Sequence, residues 1–274
     1  MEHQHAHASI QTVVDYWNRR PCNIRHSSKA VGSREYFDEV EARKYFVEPH
    51  IPDFASFKKW SGKRVLEVGC GIGTDTVNFL RHGACLTAID VSEESVAIAK
   101  KRLEIFDFDP DVVKVQNVED FNSESKFDLI YSFGVIHHTP NPRRAIEKLS
   151  CLQNCGQELR LMLYSKFSYK LFWAMHSSQR WSLSKMDDII REYAEAQAGC
   201  PVAFTYTFDQ VRELLEPYYC IQSIHKDHIF RWDVEKYIRH EYELDEAWKG
   251  VPESTVKSME RELGWHTLIV AKRV

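Results

Sequence analysis

Apolar and polar positions follow two different rhythms along this 274-residue chain. In the stretch 34–47, Tyr36, Phe37, Val40, Tyr45 and Phe46 recur at spacings that suit an amphipathic helix closed by Pro49. A shorter helix is expected over 52–60, with Phe54, Phe57 and Trp60 on one face. The residues before these are polar and interrupted by Pro21, with Tyr16-Trp17 as the bulky pair.

From position 64 the rhythm changes. Arg64-Val65-Leu66-Glu67-Val68, Cys85-Leu86-Thr87-Ala88-Ile89, 112–115, 127–131 and 158–163 are short apolar runs bounded by turn residues, which read as strands. Helical patterns fall at 75–82, at 93–106 behind the N-cap Ser92, and at 142–152. Strands alternating with helices at this spacing predict a mostly parallel sheet covered on both faces. Beyond Tyr164 the stretch 166–198 reads as largely helical and aromatic-rich, and 207–215 as a helix capped by Thr207. Two last strands are expected at 220–230 and 265–272, with a mostly helical excursion over 234–263 between them. The expected organisation is a helical cap over 1–61 followed by one α/β domain over 62–274. That domain would carry lid insertions at about 166–205 and 232–263, because long excursions in a compact domain tend to be functional.

Charge narrows the classes of function. Lys plus Arg is 36 and Asp plus Glu is 40, a net charge of −4, which gives no footprint for a long polyanion and argues against long nucleic acid as partner. No run approaches about 18 apolar residues, so no membrane span is expected. The N-terminus lacks the basic-then-apolar pattern of a secretory signal. Seven cysteines without a two-residue spacing read as reduced thiols of a cytoplasmic protein. The alternating His3, His5 and His7 read as a solvated end rather than a metal site, and no metal set is expected elsewhere.

The strongest chemical signal is Glu67-Val68-Gly69-Cys70-Gly71-Ile72-Gly73, between the first strand and the first helix of the sheet. Glycines there let the backbone turn tightly and approach a ligand, while the helix N-terminus offers free N–H groups. Asp90, at the end of the second strand, is placed to accept two hydrogen bonds from a ribose diol. The pattern lacks the further glycine of a pyrophosphate cradle, since Thr74 and Asp75 follow Gly73. Acidic Glu67 at the opening suits an ammonium better than a diphosphate. A nucleoside joined to an amino acid fits both features.

Over about 62–164 the chain resembles the class I S-adenosylmethionine-dependent methyltransferases, with four motifs in the family's order. These are Val65 to Gly73, then Ala88-Ile89-Asp90, then Gln116-Asn117-Val118-Glu119-Asp120 where the family contacts adenine, and then Phe127-Asp128-Leu129-Ile130-Tyr131-Ser132-Phe133-Gly134-Val135-Ile136-His137-His138. The resemblance implies a Rossmann-like seven-stranded sheet of order 3-2-1-4-5-7-6 and S-adenosyl-L-methionine as cofactor, leaving S-adenosyl-L-homocysteine. It implies cofactor contacts from Glu67, Gly69, Cys70, Gly71 and Gly73 at the turn. Asp90 and Val91 would meet the ribose, Asn117 and Val118 the adenine, and Ser132 and Phe133 the underside. Two departures stand out. Leu152-Gln153-Asn154-Cys155-Gly156 replaces the family's Leu-Lys-Pro-Gly-Gly, and Asn117 stands in place of an acid.

Methyl transfer asks the protein chiefly to align nucleophile and methyl and to exclude water. At the strand ends, His138 and Tyr164 are the candidate catalytic residues, against a structural role for each in the loop and the core. Trp17, Tyr36, His137 and Lys166 are candidate substrate contacts, with Tyr16, Asn18, Arg20, Phe37, Lys170 and Arg180 in the same covering segments. The Asn/Asp-Pro-Pro-Tyr motif of nucleobase-amine methyltransferases is absent, as is a DxxE-type metal set. The expected acceptor is an oxygen (carboxylate or acidic hydroxyl) or a nitrogen of a small molecule or peptide. Two rivals are a catalytically silent S-adenosylmethionine-binding module acting through partners, and a nicotinamide oxidoreductase, whose dinucleotide glycine pattern the chain lacks.

Overall fold

The computed structural model describes residues 8–197 and 200–274; His3, His5 and His7 lie outside the described residues. Three helices come first: α1 (Ile10–Arg19), α2 (Arg34–Val47) and α3 (Ile51–Ala55). The alternating part runs β1 (Arg64–Val68), α4 (Thr74–Arg81), β2 (Cys85–Asp90), α5 (Glu93–Ile105), β3 (Val113–Val115), β4 (Leu129–Phe133), α6 (Pro142–Ser150) and β5 (Glu158–Tyr164). It is followed by α7 (Tyr169–Ser178), α8 (Met186–Gln197), α9 (Phe208–Leu215), β6 (Tyr219–Asp227), α10 (Val234–Ile238), α11 (Glu253–Leu263) and β7 (His266–Arg273).

The seven strands form one sheet of order β3-β2-β1-β4-β5-β7-β6, as the resemblance implied. Strands β1 to β5 are parallel, while β7 runs antiparallel to both β5 and β6. Because successive side chains of a strand point to opposite faces, the two faces bury two separate cores. Leu66, Ile130 and Leu161 join Ile146, Leu149 and Val211 on one face, and their neighbours Val65, Leu129 and Met162 join Phe57, Val77 and Phe79 on the other. Every residue of β5 is buried. The reversal of β7 matters for the site, since its first residue pairs with the last residue of β5, Tyr164 with His266.

Local chemistry explains most boundaries. Ser92 Oγ accepts from the Ser95 N–H at 3.0 Å to start α5. Thr207 and Gln210 form a reciprocal capping box that starts α9. Several elements differ from the pattern-based expectation. The helix expected over 52–60 is broken at Ser56, whose φ of 49° is left-handed, into α3 and a single 3-10 turn, Phe57–Trp60. Phe54, Phe57 and Trp60 are nevertheless all buried. The stretch 166–198 is interrupted after α7 at Gln179, φ 54°, so two helices pack as a hairpin. The excursion over 234–263 is helical only at its ends; in its middle Leu244 bridges back to Trp232 and Glu246–Trp248 forms a turn. Helix α1 was hidden by its polar composition, although Ile10, Val13 and Trp17 share one helical face and Ser9 caps its start.

Candidate active site

The carboxyl ends of β1, β2, β4 and β5 open onto one cavity, covered by α1 and the end of α2. From β2 to β7 there are four strand spacings, so its floor stretches about 19 Å at ~4.8 Å per strand. At one end lies the glycine turn. Gly69 has φ 75° and packs so closely that a Cβ there would lie 2.1 Å from Val135 Cγ2. Gly71 also has a positive φ, 52°, but a Cβ there would meet nothing within 4 Å, because it borders the cavity itself. The turn is tied to the next strand by the Gly69 N–H on the Ile89 carbonyl, 2.7 Å.

Asp90 organises this end. Its Oδ2 accepts from the Gly71 N–H at 2.8 Å and its Oδ1 from the Ser92 N–H at 2.9 Å. Burial raises its pKa, against the opposing pull of the Ser92, Gly71 and Val91 N–H groups. Each carboxylate oxygen retains a lone pair for a further donor. Cys70, Val91, Asn117 and Val118 complete the walls here. Asn117 Oδ1 accepts from the Glu119 N–H at 3.0 Å, which fixes its amide at the rim.

Glu67 is not on the cavity wall. It is buried under α4 and accepts from the Thr76 hydroxyl at 2.6 Å. Burial, then the neighbouring Asp75, push its pKa up to about 8, which disfavours the negative charge expected at the turn opening. Asp75 instead is held by Lys44 Nζ at 2.8 Å and by the Tyr45 and Tyr131 hydroxyls at 2.9 Å each. Lys44 itself faces the cavity. Gly73 and Ser132 also lie off the wall. Gly73 packs its α-carbon against Ala99, and Ser132 is enclosed within β4, leaving Phe133 as the exposed step.

The opposite end is built from rings. His138, Tyr164 and Trp17 line the cavity, with the Trp17 ring edge-on to His138 at 5.4 Å between centroids. His138 Nδ1 lies 2.6 Å from the Val202 carbonyl oxygen. A carbonyl only accepts, so Nδ1 carries the proton of the neutral ring and Nε2 is its basic nitrogen. His137 is fully buried, with its ring 3.7 Å from Tyr164 and 4.3 Å from His138, and sits behind the wall rather than on it. Burial, then His138, hold its pKa well below the ordinary value.

Other expected substrate contacts lie away from the cavity. Tyr36 and Phe37 are completely enclosed with Val40 and Ile72 between α2 and the sheet helices, and the Tyr36 hydroxyl donates to the Ile24 carbonyl at 2.9 Å. Lys166 is buried and pairs with Asp187 at 3.1 Å, fastening the start of α8 to the end of β5. Lys170 lies over the Trp173 ring and Arg180 pairs with Glu192 on the surface.

A cluster that sequence reasoning missed stands beside Tyr164. Ligand-type atoms of Glu48, His228 and His266 all lie within 4.8 Å of one another, and Glu48 and His266 face the cavity. Burial lowers the pKa of His228 to about 3 and holds that of His266 well below the ordinary imidazole value, which favours the neutral form of both rings. The three residues are far apart in the chain and share no motif. The one usable signal was topological, since the first residue of a reversed strand beside β5 must fall at the cavity edge.

The strand order and the reversed final strand are those of the Rossmann-like methyltransferase fold. The sequence profile of a family described as Methyltransferase domain matches residues 66–156. Among curated proteins, it is 32% identical over 99 residues to a ubiquinone biosynthesis O-methyltransferase of Coxiella burnetii and 36% identical over 104 residues to one of Xanthomonas euvesicatoria. The matches cover 36% and 37% of this chain but only 42% and 43% of those relatives. Among solved structures, magnesium protoporphyrin IX methyltransferase from Synechocystis, with bound S-adenosylhomocysteine, superposes with a TM-score of 0.61 at 15% identity, covering 97% of this chain and 100% of its own. Geranyl diphosphate C-methyltransferase from Streptomyces coelicolor gives 0.60 at 14% identity, covering 96% and 97%. These likenesses extend over nearly the whole chain and concern the fold. Among the described residues no helix is long and apolar enough to cross a membrane.

Proposed function

We propose that this protein transfers a methyl group from S-adenosylmethionine to an oxygen of a small molecule. The observation that carries the reading is the pairing, in one cavity, of the Asp90-organised glycine turn with His138 and Tyr164 across the sheet. The residues suit the cofactor: Gly71 leaves open space where any side chain would intrude, Asp90 has acceptor capacity for a diol, and Ile89 and Val118 offer apolar walls for a base. When bound, the cofactor supplies a methyl group made electrophilic by its sulfonium.

The protein's part is positioning and proton handling. Trp17 and Tyr164 wall off the acceptor end and exclude water, while Phe133 at the end of β4 lines the cavity from the strand between β1 and β5. His138 Nε2 accepts the proton of an acceptor that arrives as a hydroxyl, and the Val202 carbonyl fixes the tautomer that makes this possible. The oxygen preference draws support from the O-methyltransferase names of the curated relatives. Calorimetric titration with S-adenosylhomocysteine, with NAD in parallel, tests the reading. Micromolar binding of the first alone supports it, and a panel of phenols, carboxylic acids and amines then reports the acceptor. Binding of NAD in place of S-adenosylhomocysteine would sink it.

A further inference from the structure

Three imidazoles and a carboxylate meet at the acceptor end of the cavity from three separate segments. Glu48 follows α2 and His50 follows it by two residues, while His228 directly follows β6 and His266 begins β7. His266 Nε2 lies 3.6 Å from Glu48 Oε1, and the His228 and His266 rings stack with centroids 4.6 Å apart. His228 and His266 are both buried. His228 holds a left-handed backbone, φ 68°, a conformation few residues other than glycine adopt. Burying several imidazoles beside a carboxylate is an expensive way to fill space that leucine would fill better.

We propose that Glu48, His228 and His266 bind a divalent first-row transition-metal ion at the acceptor end of the cavity, where an anionic oxygen of the substrate completes its coordination. Two neutral imidazoles and one carboxylate favour zinc, iron(II), cobalt or nickel over magnesium, which prefers oxygen ligands. Three protein ligands with a position left over is the arrangement of sites that bind substrate rather than purely structural ones. The surroundings agree. His50 Nε2 lies 3.0 Å from His266 Nδ1, and His50 Nδ1 faces Asp227 Oδ1 at 3.9 Å. With His266 Nε2 toward the metal, Nδ1 donates to His50 Nε2, and the His50 proton then points to Asp227. This tautomer assignment satisfies the His266–His50 hydrogen bond and leaves the Asp227 carboxylate near the outer ring, in the place where metal-bound histidines usually find carboxylate support. The ion's role in holding an acceptor rests on the methyltransferase reading; its binding does not.

The test uses the full chain carrying His3→Ala, His5→Ala and His7→Ala, so that the N-terminal histidines cannot contribute, stripped with chelator and titrated with Co²⁺ by visible absorption. One equivalent with imidazole-type bands is expected. Glu48→Gln and His228→Ala should each weaken binding at least about 100-fold, and His50→Phe about 10–100-fold. Catechol added to the cobalt-loaded protein should shift the bands. No saturable cobalt site, or parent-like affinity in both ligand variants, overturns the proposal and leaves a structural histidine stack. Should His228→Ala fail to fold by circular dichroism, the half-buried Glu48→Gln decides alone. Unchanged bands at saturating catechol overturn the substrate half. S-adenosylhomocysteine titration of the same samples separates the two readings: cobalt without S-adenosylhomocysteine binding overturns the methyltransferase reading and leaves the metal site, and the reverse leaves the methyltransferase reading alone.

Discussion

Gly69 and Gly71 lie in the turn after β1 and Asp90 ends the next strand, β2, whereas Glu48, His228 and His266 are gathered from just beyond α2, just beyond β6 and the start of β7. The first group works through backbone: glycines with positive φ, N–H groups on a carboxylate, a strand-to-strand carbonyl contact. The second works through side chains brought together only by the complete sheet. Elements that are close in sequence can be specified by local conformational rules, and those rules serve the half of the cavity that any enzyme of this fold shares. The half that faces the acceptor depends on long-range packing, and it is where chains of common fold can diverge.

Four substitutions probe this division, from the largest effect downward. At the acceptor end, His138→Ala is expected to reduce kcat by about 10²–10⁴ if the ring takes a proton, while S-adenosylhomocysteine affinity stays within a few-fold of the parent. Equal loss in both quantities would make His138 a packing residue of the whole cavity. At the turn end, Gly69→Ala combines a left-handed backbone with a Cβ 2.1 Å from Val135, and should cost about 3 kcal/mol of stability by denaturant unfolding. Parent-like stability would show that the turn is less closely packed than described. Asp90→Ala removes the acceptor of the Gly71 and Ser92 N–H groups and is expected to weaken S-adenosylhomocysteine binding about 100-fold, leaving any cobalt binding at the other end unchanged. The smallest effect concerns pH. Glu67 titrates at about 8 in the fold against an ordinary value of 4.5, so between these values the native state holds a proton that the unfolded chain has released. Stability therefore falls as pH rises through that window, and Glu67→Gln should flatten this part of the unfolding profile. An unchanged slope in the variant would assign the dependence to other groups.

The sequence made the sheet legible because its apolar runs are short and regularly spaced by helices, and because Gly69 to Gly73 and Asp90 lie at fixed positions relative to those runs. Boundaries slipped where one residue adopts a left-handed backbone without being glycine, as Ser56 and Gln179 do. Glu67 and Ser132 were assigned to the cavity by their place in motifs, yet strand alternation turns their side chains into the layers above and below the sheet. Tyr36 lies away from the cavity because aromatics on a covering helix bury themselves readily against other helices. Lys44, Glu48, His228 and His266 carried no local pattern; only the pairing of β7 with β5 places His266 beside Tyr164.

That pairing also has a bearing on how the chain is made. Strand β5, buried along its entire length in the finished fold, emerges from the ribosome about a hundred residues before its neighbour β7. At ~5–20 residues per second this leaves an apolar strand edge unpaired for roughly 5–20 seconds of synthesis. During that interval β1 to β5 can already assemble as a parallel half-sheet with one sticky margin. The nascent chain is thus most vulnerable to aggregation at the stage when its glycine turn is in place and the far end of its cavity is still missing. Slowing translation between α7 and α11 would lengthen that exposure, and a chaperone that shields strand edges would shorten its consequences.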